Sequence, residues 1–134
     1  MKIGHKLRGG EAIELIGDLG AGKTAFVRGL AKGMGSDDTV RSPSFTISNR
    51  YRSGKLTMHH FDFHRLDGPG IIKRELAEIL SDPRAVAVVE WGDAVRDVLP
   101  RKHLAIRITA TGDESRDFEF SYPDSLGYLM PEEA

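Results

Sequence analysis

Between Ala12 and Thr24 the chain reads "AIELIGDLGAGKT". The run "AIELI" has the length and apolar density of a buried strand. The next eight residues, Gly17 to Thr24, fit the spacing G-x-x-x-x-G-K-[ST]. In such a loop the glycines let successive backbone N–H groups turn inward around phosphate oxygens, an approach that side chains at those positions would block. Lys23 then reaches the β and γ phosphates, the Thr24 hydroxyl coordinates Mg²⁺, and a helix N-terminus adds favourable partial charge.

The helix is legible just beyond. From Lys23 onward Phe26, Val27, Leu30, Ala31 and Met34 recur at helical spacing, with Arg28 and Lys32 on the opposite face and Gly35 as a stop. Strand, loop and helix form the context in which this motif binds nucleotide phosphates. The residues expected to do so are Asp18, Leu19, Gly20, Ala21, Gly22, Lys23, Thr24 and Ala25.

After the acidic stretch "SDDTV" comes "SPSF", where Pro43 pushes Ser42 toward an extended conformation and predicts a shaped loop. "FTISNRY" and "LTMHHFDF" alternate as strands, and so short a connection as Arg52 to Lys55 predicts an antiparallel hairpin. Ile72, Leu76, Ile79 and Leu80 predict an amphipathic helix from Ile71 to Leu80, ended by "SDP". "AVAVVEWGD" reads as a fully buried strand that brings the Glu90 carboxylate to its C-terminal edge. "HLAIRITA" and "RDFEFSY" form a second hairpin around "TGDES", with Phe118, Phe120 and Tyr122 on one strand face and expected in the core. The tail from Pro123 to Ala134 has no clear period and reads as peripheral.

The 134 residues suit one domain, and no repeat or linker divides 1–134. With 19 basic and 20 acidic residues the net charge is -1, so no overall basic field holds nucleic acid unaided. Absence of cysteine excludes disulfides, thiolate metal sites and cysteine nucleophiles. "MKIGHKLRGG" has no apolar signal-like core and no run of eighteen apolar residues occurs, so a cytoplasmic chain without membrane contact is expected.

A phosphate-binding loop that catalyses hydrolysis also needs carboxylates, usually from neighbouring strand ends, to hold Mg²⁺ and to position water. Asp62 in "HFDFHRL" and Glu90 in "VVEWGD" are the candidates. Each has a plainer reading: Glu90 as a solvated strand end, Asp62 as a turn residue pairing with Arg65. Trp91 could stack on a base, cover a partner surface, or pack in the core. His59, His60 and His64 show no metal-ligand spacing, and on a strand His59 and His60 face opposite ways.

Taken in order, "GDLGAGKT", "SPSF", "HFDFHRL" and "VVEWGD" are similar to the TsaE family, small P-loop ATPases of bacterial threonylcarbamoyladenosine synthesis on tRNA. The likeness runs from about Glu11 to Pro100, with a looser match in the last hairpin. It implies an Mg²⁺-dependent ATPase that joins two sugar-kinase-like subunits, the larger of which transfers the threonylcarbamoyl group to an adenosine beside the anticodon. Hydrolysis supports turnover of that assembly, and tRNA contact is indirect. The resemblance puts Lys23 on the phosphates, Thr24 and Glu90 at Mg²⁺, Asp62 in hydrolysis, and Ser42, Pro43, Ser44 and Phe45 in a switch loop. Trp91 then lies near the nucleotide. The chain departs from the family pattern at Ala25, where a second threonine is common, at Ser44 for threonine, and at His64 for tyrosine. The segment before Gly17 is shorter than the usual helical one.

A small-molecule kinase using the same loop is the alternative, as is a nucleotide-dependent switch protein. No segment is long enough for an arginine-bearing lid, and the guanine-reading N/T-K-x-D and an LSGGQ-like signature are both absent. The expected fold is α/β, of the P-loop NTPase kind: a central mixed β-sheet flanked by helices, with two antiparallel hairpins and the nucleotide at the C-terminal end of the first strand.

Overall fold

The computed structural model describes residues 2–17, 23–36, 48–54, 56–62, 70–90, 99–111 and 116–130. Its centre is β1 (Ala12–Ile16), paired in parallel with β4 (Ala85–Glu90) on one side and β5 (Leu104–Ala110) on the other. β3 (Leu56–Asp62) lies parallel to β4, and the edges are the antiparallel strands β2 (Ser48–Ser53) and β6 (Arg116–Ser121). Among the described residues the sheet order is β2-β3-β4-β1-β5-β6. The mixed sheet and both hairpins agree with the sequence reading. β2 runs to Ser53, however, so positions 54 and 55 alone join it to β3.

Inner strands are apolar because both sheet faces are covered. α2 (Lys23–Met34) buries Phe26, Val27, Leu30 and Ala31 in one core with Ile13, Leu15, Met58, Val86 and Val88. Residues one step along the same strands, Ala87 and Val89, point the other way and pack with Phe61, Leu99 and Leu76 of α3 (Gly70–Leu80). α2 stops where the glycine predicts. Gly35 adopts φ +97°, Ser36 N–H donates to Ala31 O and Gly35 N–H to Lys32 O, which satisfies carbonyls of the last turn.

Three features were not anticipated. A short N-terminal helix, α1 (Lys2–His5), buries Ile3 and lies so close to α2 that a Cβ on Gly4 would come within 2.3 Å of Leu30 O. The segment from Pro123, expected to be peripheral, forms a 3₁₀ helix (Asp124–Leu129) that places Leu126 and Leu129 in the α2-side core. Its burial requires only two leucines three residues apart, too short a pattern to register as a period. Conversely Phe118 and Tyr122, expected in the core, are 46% and 44% exposed, while Phe120 is partly buried. β6 is the sheet's edge, and α2 reaches it with Phe26, whose ring centroid is 5.7 Å from that of Phe118.

No described helix is long and apolar enough to cross a membrane.

Candidate functional site

Parallel pairing brings several strand ends to one edge. β1 ends at Ile16, and the segment that follows leads into α2 at Lys23. Register sets Leu15 beside Glu90, and Glu90 beside Asp62. The two carboxylate positions singled out by sequence are therefore neighbours on adjacent strands. Both lie at the edge from which α2 departs.

Lys23 is 5% exposed although it opens a helix. Its Nζ donates to Gly17 O at 2.8 Å and stands 3.7 Å from Glu90 Oε1. Glu90 is 4% exposed and its other oxygen, Oε2, is hydrogen-bonded to His60 Nε2. A buried ion pair of this kind survives only with its remaining polar atoms satisfied, and here Gly17 and His60 provide partners. Lysine and glutamate thus present a cation and an anion side by side at the start of a 12-residue helix whose N-terminus attracts anions.

Thr24 is half-buried and Ala25 exposed in the same first turn of α2. A hydroxyl and carboxylate oxygens are hard donors of the kind that Mg²⁺ takes, so the residue types present suit that ion. Asp18, Leu19, Gly20, Ala21 and Gly22, expected to form the phosphate loop, Ser42, Pro43, Ser44 and Phe45, expected to form a switch loop, and Trp91 lie outside the described residues, as does His64. So does the side chain of Asp62, for which the backbone register alone is described.

Sequence reasoning missed His60. Its ring is fully buried, on the α2 side of the sheet with Met58 and Val88, whereas half-buried His59 faces the opposite side beside Arg50. Opposite faces for the two histidines agree with strand alternation. What alternation lacked was the partner: Glu90 is 30 residues away and meets His60 through the β3–β4 register. A second buried acid, Glu14, stands apart from this cluster, with His103 Nε2 3.2 Å from its Oε1.

A protein-family model described as "Threonylcarbamoyl adenosine biosynthesis protein TsaE" matches residues 1–118. The tRNA threonylcarbamoyladenosine biosynthesis protein TsaE of Bacillus subtilis (strain 168) is 36% identical over 128 residues, 92% of this chain and 77% of the relative. That of Treponema pallidum (strain Nichols) is 36% identical over 115 residues, covering 86% and 84%. The crystal structure of Bacillus subtilis YdiB superposes with a TM-score of 0.73 at 31% identity, over 96% of this chain and 80% of that one. The α/β fold is accordingly of the P-loop NTPase kind.

Proposed function

Because the chain belongs to the TsaE family, we propose that it is the ATP-hydrolysing component of tRNA threonylcarbamoyladenosine biosynthesis. The observation that carries this reading is the buried Lys23–Glu90 pair at the head of α2, in a chain whose sequence puts a phosphate-binding loop immediately before it.

In this reading Lys23 turns its ammonium to the β and γ phosphates, a charge-assisted contact that replaces part of its pairing with Glu90. Thr24 and Glu90 would hold Mg²⁺ through a hydroxyl and a carboxylate oxygen, and the ion would supply positive charge against the negative charge that develops in phosphoryl transfer. Asp62, next to Glu90 in register, orients the water that attacks the γ phosphorus in line. Ser42, Pro43, Ser44 and Phe45 respond to the nucleotide as a switch loop, and Trp91 lies beside it.

The threonylcarbamoyl transfer takes place elsewhere, on two sugar-kinase-like subunits in the cytoplasm with which this chain assembles. Hydrolysis resets that assembly between turnovers, so activity of the isolated chain is low and rises on binding. The test is the Mg²⁺-dependent ATP hydrolysis rate of the chain alone and with the two-subunit partner. A low rate that increases on mixing is the expected result. No complex and no change, or a strong preference for GTP, would defeat the proposal, and phosphate transfer to a small-molecule acceptor would favour a kinase.

A further inference from the structure

Among the described residues, one buried polar atom is left over at this site. His60 Nδ1 has no hydrogen-bond partner, although the ring is fully buried. An apolar side chain would fill the same space between Met58 and Val88 without stranding a polar nitrogen, so packing alone gives no reason for a histidine. The other ring nitrogen supplies one. His60 is the register partner of Val88, and its Nε2 reaches diagonally to Glu90 Oε2 on the next strand.

The stranded atom also assigns the direction of that bond. A neutral imidazole carries one N–H, and an N–H buried without an acceptor is costly. Placing the proton on Nε2 gives the N–H its acceptor and leaves Nδ1 as a bare lone pair. Glu90, paired with the Lys23 ammonium through Oε1, is then the ionised acceptor on both oxygens.

We infer that His60 is a positioning residue for Glu90: its Nε2–H pins Oε2 and leaves Oε1 as the oxygen presented to Lys23 and to a divalent cation. A glutamate has several freely rotating bonds, and holding one oxygen removes most of that freedom before the ion arrives. Partners of metal-ligating groups typically contribute about 10–100-fold in metal affinity. The inference rests on Glu90 as a ligand of Mg²⁺, and its test separates the two.

Three proteins are compared: the native chain, H60M, which fills the volume without a donor, and H60Q, which returns an N–H near the Nε2 position. Binding of a fluorescent ATP analogue is measured without Mg²⁺ and across a Mg²⁺ titration. H60M should bind the analogue within about twofold of native when Mg²⁺ is absent, while its Mg²⁺ midpoint rises about tenfold or more. H60Q should return that midpoint to within about threefold of native. An unchanged midpoint in H60M, or equal impairment in both variants, overturns the positioning role alone. A native chain whose binding ignores Mg²⁺ overturns Glu90 as a ligand and the positioning role with it. Independently of whether H60M folds, ¹⁵N spectra of the native histidines should show His60 Nε2 protonated; a bare Nε2 overturns the inference.

Discussion

Lys23 and Glu90 are two charges withdrawn from water, and each is tolerated because the other is there. Lys23→Ala leaves a buried carboxylate without its cation, which costs about 3–5 kcal/mol of folding stability. A urea unfolding midpoint checks that, and ATP binding should be lost in the same variant. Glu90→Gln keeps an oxygen for His60 to donate to, but it leaves the buried Lys23 ammonium without its anion, so its folding cost is similar, about 3–5 kcal/mol. Its Mg²⁺-dependent hydrolysis should fall by at least the about tenfold that loss of a metal ligand's hydrogen-bonding partner alone costs. Full hydrolysis by this variant would remove Glu90 from the mechanism. On the opposite sheet face, burial and then the Arg50 charge hold the His59 pKa below its usual 6.5, against the pull of Asp82 and Glu75. The unfolded chain therefore takes up a proton first as pH falls, so this contribution is intact above about pH 6.5 and is lost as pH drops through the lowered value. His59→Gln should flatten that part of a Tm-against-pH curve.

At the level of elements, the two ends of the described chain are tied to each other. Glu11 accepts from the N–H groups of Arg8 and Gly9 and from the Tyr128 hydroxyl, the Arg8 guanidinium lies 4.0 Å from the centre of the Tyr128 ring, and Lys6 Nζ donates to Met130 O at 2.7 Å. Burial and the bond to Glu11 push the Tyr128 hydroxyl above its usual pKa of 10. Above about pH 10 the unfolded chain releases this proton while the folded chain keeps it, so stability declines as pH rises further. Thermal unfolding across that range should show the decline in the native chain and a shallower one in Tyr128→Phe. α3 depends on a different interaction, the insertion of Leu76 among Phe61, Ala87 and Val89. Leu76→Ala should lower stability by about 2–5 kcal/mol, read from denaturant unfolding. Because that face lies away from Lys23 and Glu90, ATP binding by the folded fraction should be unchanged.

For the molecule as a whole, a net charge of -1 leaves phosphate attraction to local features such as the head of α2. The isolated chain should not retain tRNA on a filter at about 0.15 M salt, where unaided phosphate contacts are weakened by counterions. Tight, salt-sensitive binding by the chain alone would count against an indirect tRNA role. The α2 repeat ending at Gly35, the buried strand to Glu90 and both hairpins are readable from residue order, because each depends on neighbours a few residues away. Spacing within a strand also separates His59 from His60, by simple alternation. The partnership of His60 with Glu90 is not readable, since it spans 30 residues and exists through the pairing of β3 with β4. The same holds for Leu126 and Leu129 in the core, and for Phe118 and Tyr122 outside it. Local periodicity states which residues share a face; which face is then covered, and by what, depends on strand order and long-range packing, and those arise only when the whole chain has folded.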